Sequence, residues 1–154
     1  MTCYRPLLAY KENGKVVFEK PFPIAKGFNL PCNQCIGCRL TYSRNWAIRC
    51  IHEAQMHKQN CFITLTFNPE SLEGRGIQSV TKRDYQLFMK RLRKKYGNGI
   101  RYFHCGEYGE QHKRPHYHAL LFGHDFADKT IWSVKKDIKL YVSKELQELW
   151  PLGS

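Results

Sequence analysis

RPHYHALLFG, residues 114–123, puts two imidazoles at the head of an apolar strand. Successive side chains of a strand point to opposite faces, so His116 and His118 project together while Tyr117 projects the other way. An isolated His-x-His at the start of a strand is ordinarily a pair of solvated polar residues. The segment just upstream changes its meaning here.

That segment, IRYFHCGEYGEQHKRPHYH (residues 100–118), runs from aromatic and β-branched residues into a polar, Gly-bearing stretch at Gly109 to Arg114, which is a hairpin signal. If Glu107 stands directly opposite His116, the loop centres between Gln111 and His112 and the carboxylate shares the face of the two imidazoles. A slip or bulge of one residue would give that role to Glu110 or His112 instead. Two His nitrogens and one carboxylate with open coordination positions suit Mn²⁺, or Mg²⁺ where substrate phosphates complete the shell.

The 154 residues make one domain's worth of chain, with residues 1–60 as a Cys-rich segment and first helix and residues 61–154 as the core that carries the His pair. Net charge is +12, from 25 Lys and Arg against 13 Asp and Glu, which makes a polyanion the expected partner. Aromatic side chains supply base-stacking surface as well as core, so single-stranded nucleic acid leads. The first 25 residues carry six charges and no long apolar run, and neither a signal peptide nor a membrane span is read anywhere. The expectation is a protein working inside a cell, with its seven cysteines reduced.

Three of those cysteines, Cys32, Cys35 and Cys38, form C-x-x-C-x-x-C, a spacing that wraps thiolates around one metal. A fourth ligand is required. Cys3, Cys50, Cys61 and His52 are candidates, with Cys50 and Cys3 ranked first and Cys50 taken as the fourth. Zinc is preferred over an iron–sulfur cluster, because the ferredoxin-type run would place a Cys-Pro shortly after the third cysteine, where this chain has Arg39 to Asn45. Pro31-Cys32-x-x-Cys35 also matches half of a nucleobase deaminase signature, but no His-x-Glu precedes it.

Lys15–Glu19 reads as a short strand after the turn signal Asn13-Gly14, and Pro21 and Pro23 then forbid regular structure. From Thr41 to about Lys58, Ala47, Cys50, Ile51 and Ala54 mark one face of a core-packing helix. CFITLTF (residues 61–67) reads as a buried strand and residues 71–76 as a loop. Thr81 and Asp84 have capping-box spacing, and Tyr85, Phe88, Met89, Leu92 and Tyr96 form the apolar stripe of a second helix ended by Gly97. Its other positions, Lys82, Arg83, Lys90, Arg91, Arg93, Lys94 and Lys95, face a single acid, Asp84, so this helix is a candidate for phosphate contacts. A polar tail follows the His strand and ends in a helix from Ser143 to Trp150. The order is that of an α+β domain: an antiparallel sheet with flanking helices.

FITLTF, then a carboxylate, then His-hydrophobic-His in that order resembles the HUH endonucleases that initiate rolling-circle replication. CNQCIGCRLTYSRNWAIRC, FITLTF and GEYGEQHKRPHYHALLFG together resemble, over nearly the whole chain, the replication initiators of gokushovirus-type microviruses, which are small single-stranded DNA phages. The resemblance implies a ferredoxin-like HUH core and Mg²⁺ or Mn²⁺ at His116, His118 and Glu107. It also implies cleavage and rejoining of single-stranded origin DNA in the cytoplasm of a bacterial host. In that family a Tyr hydroxyl attacks the phosphate and stays linked to it. That Tyr sits on a helix downstream of the His pair, expected after the WPLG stretch, whereas the sequence stops at Trp150-Pro151-Leu152-Gly153-Ser154 and so reads as truncated. Tyr141 is the one Tyr after Tyr117 and hence the one nucleophile candidate on that side. The alternative to a nicking enzyme is a non-catalytic, zinc-stabilised DNA-binding remnant.

Overall fold

A computed structural model describes residues 3–74 and 79–153. They fall into two compact units, Met1–His52 and Glu53–Ser154. The fold is mixed α+β with small antiparallel sheets, as the alternation of strand and helix signals requires.

In the first unit, β1 (Leu7–Glu12) pairs with β2 (Lys15–Val17) through Asn13-Gly14, both at positive φ (48° and 77°), the geometry of a two-residue hairpin turn. β3 (Phe28–Leu30) pairs with the other edge of β1. The helix α1 runs from Ile36 to Gln55, so it begins five residues before the Thr41 start expected from periodicity. Its anticipated buried stripe is not buried, since Ala47 is exposed and Ile51 is 57% exposed, with only Gly37 and Cys38 enclosed. The helical period holds, but the short three-stranded sheet offers little apolar surface to receive the stripe.

The second unit is built on β4 (Asn60–Thr66), β5 (Arg101–Tyr108) and β6 (Pro115–Phe122), in the order β4-β6-β5. Strand β6 is therefore central, and its alternate residues divide cleanly. Tyr117, Ala119 and Leu121 join Ile63 and Leu65 on one face, where they meet α3 (Lys82–Tyr96) through Tyr85, Phe88, Met89 and Leu92. Each such large side chain removed from water is worth roughly 1.5–3 kcal/mol. Thr81 caps α3 by accepting from Asp84 N, and its hydroxyl donates to Asp84 Oδ2 at 2.7 Å. The Tyr117 hydroxyl donates to Thr81 O (2.8 Å) and accepts from Thr81 N (2.7 Å), tying the central strand to the start of that helix. Trp150, fully buried, closes the core and donates its Nε1 to Thr66 O at 2.6 Å.

A five-residue helix α2 (Pro69–Glu73), capped by Asn68, occupies most of the expected loop at 71–76, of which 75–78 lie outside the described residues. The tail, polar in sequence, contains a hairpin that its composition does not announce: β7 (Thr130–Lys135) and β8 (Ile138–Val142), turned by Lys136 and Asp137 at φ 46° and 67°. Helix α4 (Lys144–Leu149) follows, capped by Ser143. Among the described residues, no helix is long and apolar enough to cross a membrane.

Candidate metal centres

Glu107 pairs directly with His116, and Tyr108 with Pro115, so the β5–β6 loop centres between Gln111 and His112. The register puts Glu107, His116 and His118 on the sheet face opposite Tyr117 and α3. Glu110 and His112 stay in the exposed turn and do not join the group. Glu107 Oε2 lies 3.9 Å from His116 Nε2 and 3.9 Å from His118 Nε2.

The other ring nitrogens are already engaged. His116 Nδ1 donates to the Arg114 carbonyl at 3.1 Å; a carbonyl can only accept, so the proton is on Nδ1 and the Nε2 lone pair is available. His118 Nδ1 stands 3.0 Å from Thr64 Oγ1, which can accept in the same way. Such outer partners fix tautomer and ring direction, as they do for metal-ligating histidines generally. Phe62 stacks on His118 with ring centroids 5.3 Å apart, and the Arg114 guanidinium donates to Phe67 O, clamping the hairpin to the end of β4.

On the same face the Cys105 thiol donates to Glu107 Oε1 at 3.4 Å, leaving Oε2 turned to the imidazoles. Burial, reinforced by the Glu107 carboxylate, pushes this thiol above its ordinary value and keeps it protonated as a donor. Sequence reasoning missed Thr64, Cys105 and Arg114. Cys105 was within reach of it, since it lies two residues before Glu107 on one strand and so shares its face. Thr64 required the pairing of β4 with β6, which periodicity does not supply.

The cysteine cluster gathers Cys3, Cys32, Cys35 and Cys38. This corrects the choice of Cys50: it lies twelve residues beyond Cys38 on the same helix, about 18 Å along the axis, whereas Cys3 folds back onto the turn. Sulfur separations of 3.6 Å (Cys3–Cys32) and 3.8 Å (Cys3–Cys35) match the edge, about 3.8 Å, of a tetrahedron with metal–sulfur bonds of about 2.3 Å. Backbone N–H groups of Tyr4, Cys32 and Cys35 donate to sulfurs at 3.3 to 3.4 Å. Those of Cys38 and Tyr4 hold the Cys35 thiol down to about 6, whereas burial pushes Cys38 up to about 12. A cation among them would let all four be thiolates together.

The basic helix meets neither cluster. Its apolar stripe packs on the core face of the sheet, so the sheet itself separates α3 from the imidazoles. Arg91 donates to Leu149 O (3.2 Å), Arg93 to Ile100 O (2.9 Å), and Lys95 pairs with Glu145 (3.0 Å). Lys82, Arg83, Lys90 and Lys94 remain exposed. Tyr141, on β8, has Lys129 Nζ 5.6 Å from its ring centre and lines a cleft along β4.

Sequence comparison now assigns the lineage, for the profile of the Replication-associated protein ORF2 family matches residues 60–154. The chain belongs to that family. It is 36% identical over its whole length to Replication-associated protein VP4 of Bdellovibrio phage phiMH2K, covering 52% of that protein. It is 33% identical over 99% of its length to Replication-associated protein ORF2 of Spiroplasma virus 4, covering 54% of it. A third relative, Replication-associated protein ORF4 of Chlamydia phage 1, is 30% identical over 82% of the chain and 33% of the relative. The chain thus spans about half the length of the first two, and the likeness to microvirus replication initiators holds across both its units. No solved structure matches it significantly.

Proposed function

We propose that the second unit is the nicking and joining centre of a rolling-circle replication initiator acting on single-stranded phage DNA in the host cytoplasm. The carrying observation is the trio Glu107, His116 and His118, whose ligand atoms converge on an open sheet face while their remaining donors are held by Arg114, Thr64 and Cys105. Mn²⁺ or Mg²⁺ held there would polarise a phosphate oxygen. A Tyr oxygen forms the new bond to phosphorus, the bond from phosphorus to the 3′ oxygen breaks, and the leaving oxygen takes the proton. Tyr117 is unsuited to this, being 2% exposed with its hydroxyl bonded to Thr81. Tyr141 is the candidate these residues offer downstream. The exposed lysines and arginine of α3 would hold DNA phosphates remote from the scissile one, because the sheet intervenes. Zinc suits the four-sulfur cluster as a structural ion.

The test is a denaturing gel for a protein–DNA adduct, with the intact replication protein, Mn²⁺ and single-stranded origin DNA. Mass spectrometry of the linked peptide then locates the Tyr. His116→Ala and His118→Ala should each abolish the adduct and calorimetric Mn²⁺ binding. Unchanged Mn²⁺ affinity in both variants would sink the assignment, and DNA binding with no adduct in the wild type would favour the non-catalytic remnant.

A further inference from the structure

Beside the imidazole face runs a cleft of about 930 Å³, between the free edge of β4 and the β7–β8 hairpin with α4. Thr64 and Thr66 line it, and these residues pair directly with His118 and His116. Neighbouring strands lie about 4.8 Å apart, so the cleft opens one strand away from the imidazole-bearing backbone. Its walls carry three aromatic side chains that nothing in the fold buries: Phe62 (63% exposed), Trp132 (69%) and Tyr141 (47%).

Trp132 owes its position to a fault in the hairpin. Ile131 pairs with Tyr141 and Ser133 with Leu140, which leaves Trp132 as the extra residue of a β-bulge. Bulges re-aim a side chain and persist where that redirection is used. The surrounding charge has one sign, with Lys129, Lys135, Lys136, Lys139 and Lys144 against Asp137 alone between residues 129 and 144. Exposed aromatic faces within a basic segment are the chemistry of an unpaired nucleic-acid strand: rings stack on bases while ammonium groups follow the phosphates.

We propose that this cleft seats unpaired bases of the DNA strand beside the imidazole site, with Trp132 as the principal stacking surface and Phe62 and Tyr141 flanking it. The inference rests on the nicking reading above, from which it takes the identity of the ligand as single-stranded DNA. A polypeptide strand paired along the open edge of β4 is the competing occupant, but five lysines around an exposed Trp do not suit an apolar strand.

A short oligo(dT) is the probe, bound to the intact protein in the presence of Mn²⁺. Trp132→Ala should weaken binding roughly tenfold or more, the scale of one base stack, and Trp132→Phe should recover most of it. The salt dependence of affinity should be unchanged in both, because stacking releases no counterions. Oligo(dT) should also shield Trp132 fluorescence from acrylamide, measured in a variant with Trp46 and Trp150 replaced by Phe. Normal oligo(dT) affinity in Trp132→Ala, or quenching unaffected by saturating DNA, would overturn the base-cleft proposal and leave the cleft to a polypeptide strand. Wild-type protein that binds neither Mn²⁺ nor oligo(dT) would instead defeat the nicking reading itself.

Discussion

The thiol cluster draws its donors from separate stretches of chain, Cys3, the turn at Cys32–Cys35 and the first turn of α1, whereas Glu107, His116 and His118 stand on facing rungs of one hairpin. Around the thiols little else is buried: of the first unit's hydrophobic residues only Ala9 and Cys38 are enclosed. Behind the imidazoles stands a full core of Leu65, Phe67, Tyr85, Phe88, Leu92, Leu121 and Trp150. In one unit a metal would supply the cohesion that apolar burial does not. In the other, burial positions the ligands and the metal is free to serve chemistry.

The largest effect expected from this contrast is at the cysteines. Apparent binding free energies of structural zinc are about 10–16 kcal/mol, and where a site does not exist in the unfolded chain this is folding free energy. Cys35→Ser should release the metal and cost residues 3–52 their dispersed amide NMR signals, while the signals of residues 53–153 stay in place. A chelator should do the same to the wild type. Retention of dispersed signals in a metal-free protein would return the cysteines to ordinary packing.

The mirror experiment is milder. His116→Ala should remove Mn²⁺ binding yet shift stability by no more than about 0.5 kcal/mol, the range of surface substitutions, because both rings lie on the open face rather than in the core. A cooperative loss of the second unit in thermal melts would show that this site, too, is structural, and the contrast would collapse.

Thr64 separates positioning from ligation. Thr64→Val removes the partner of His118 Nδ1 without changing the shape of the strand, and loss of such outer contacts commonly lowers metal affinity about 10–100-fold. Thr64→Ser should restore the affinity. Equal binding by all three proteins would mean that the Phe62 stack alone orients the ring.

Much of this site was legible in the sequence because a hairpin needs few facts to fix it. Two strands with matched apolar faces and one short loop set the Glu107–His116 register, and the Thr81–Asp84 pair marked the start of α3. The features that escaped depend on contacts distant in sequence or on turns with weak signals. The β7–β8 hairpin turns on Lys136-Asp137, which takes positive φ without a glycine, and the Trp132 bulge breaks its alternation. Cys3 lies 29 residues from its partner Cys32, a closure that spacing arguments do not rank against the nearer Cys50. The basic run of α3 was visible, but its side of the sheet was not, since the helix period says which face is buried and not against which side of which strand.

The smallest effect expected tests whether the hairpin register alone secures the imidazoles or whether α4 contributes. Asp128 accepts from Ser143 Oγ (2.6 Å) and Glu145 N (3.0 Å), anchoring the start of the short helix that ends at Trp150 beneath β4. The Ser143 hydroxyl and that N–H hold the Asp128 carboxyl below its ordinary value, and Tyr96 with Lys95 does the same for Glu145. Both groups ionise more readily in the folded chain than in the unfolded one. Their stabilisation is therefore complete above the ordinary carboxylate range and drains away as pH falls through the lowered values. Asp128→Asn keeps the shape and removes the charge, so the thermal midpoint at neutral pH should drop slightly and its acid decline should flatten. Mn²⁺ affinity should not change, because Thr64, Arg114 and Glu107 hold the rings without α4. If affinity fell along with the midpoint, docking of Trp150 against Thr66 would be part of what aims His116 across the strand pair, and the site's preorganisation would extend from the hairpin into the whole unit.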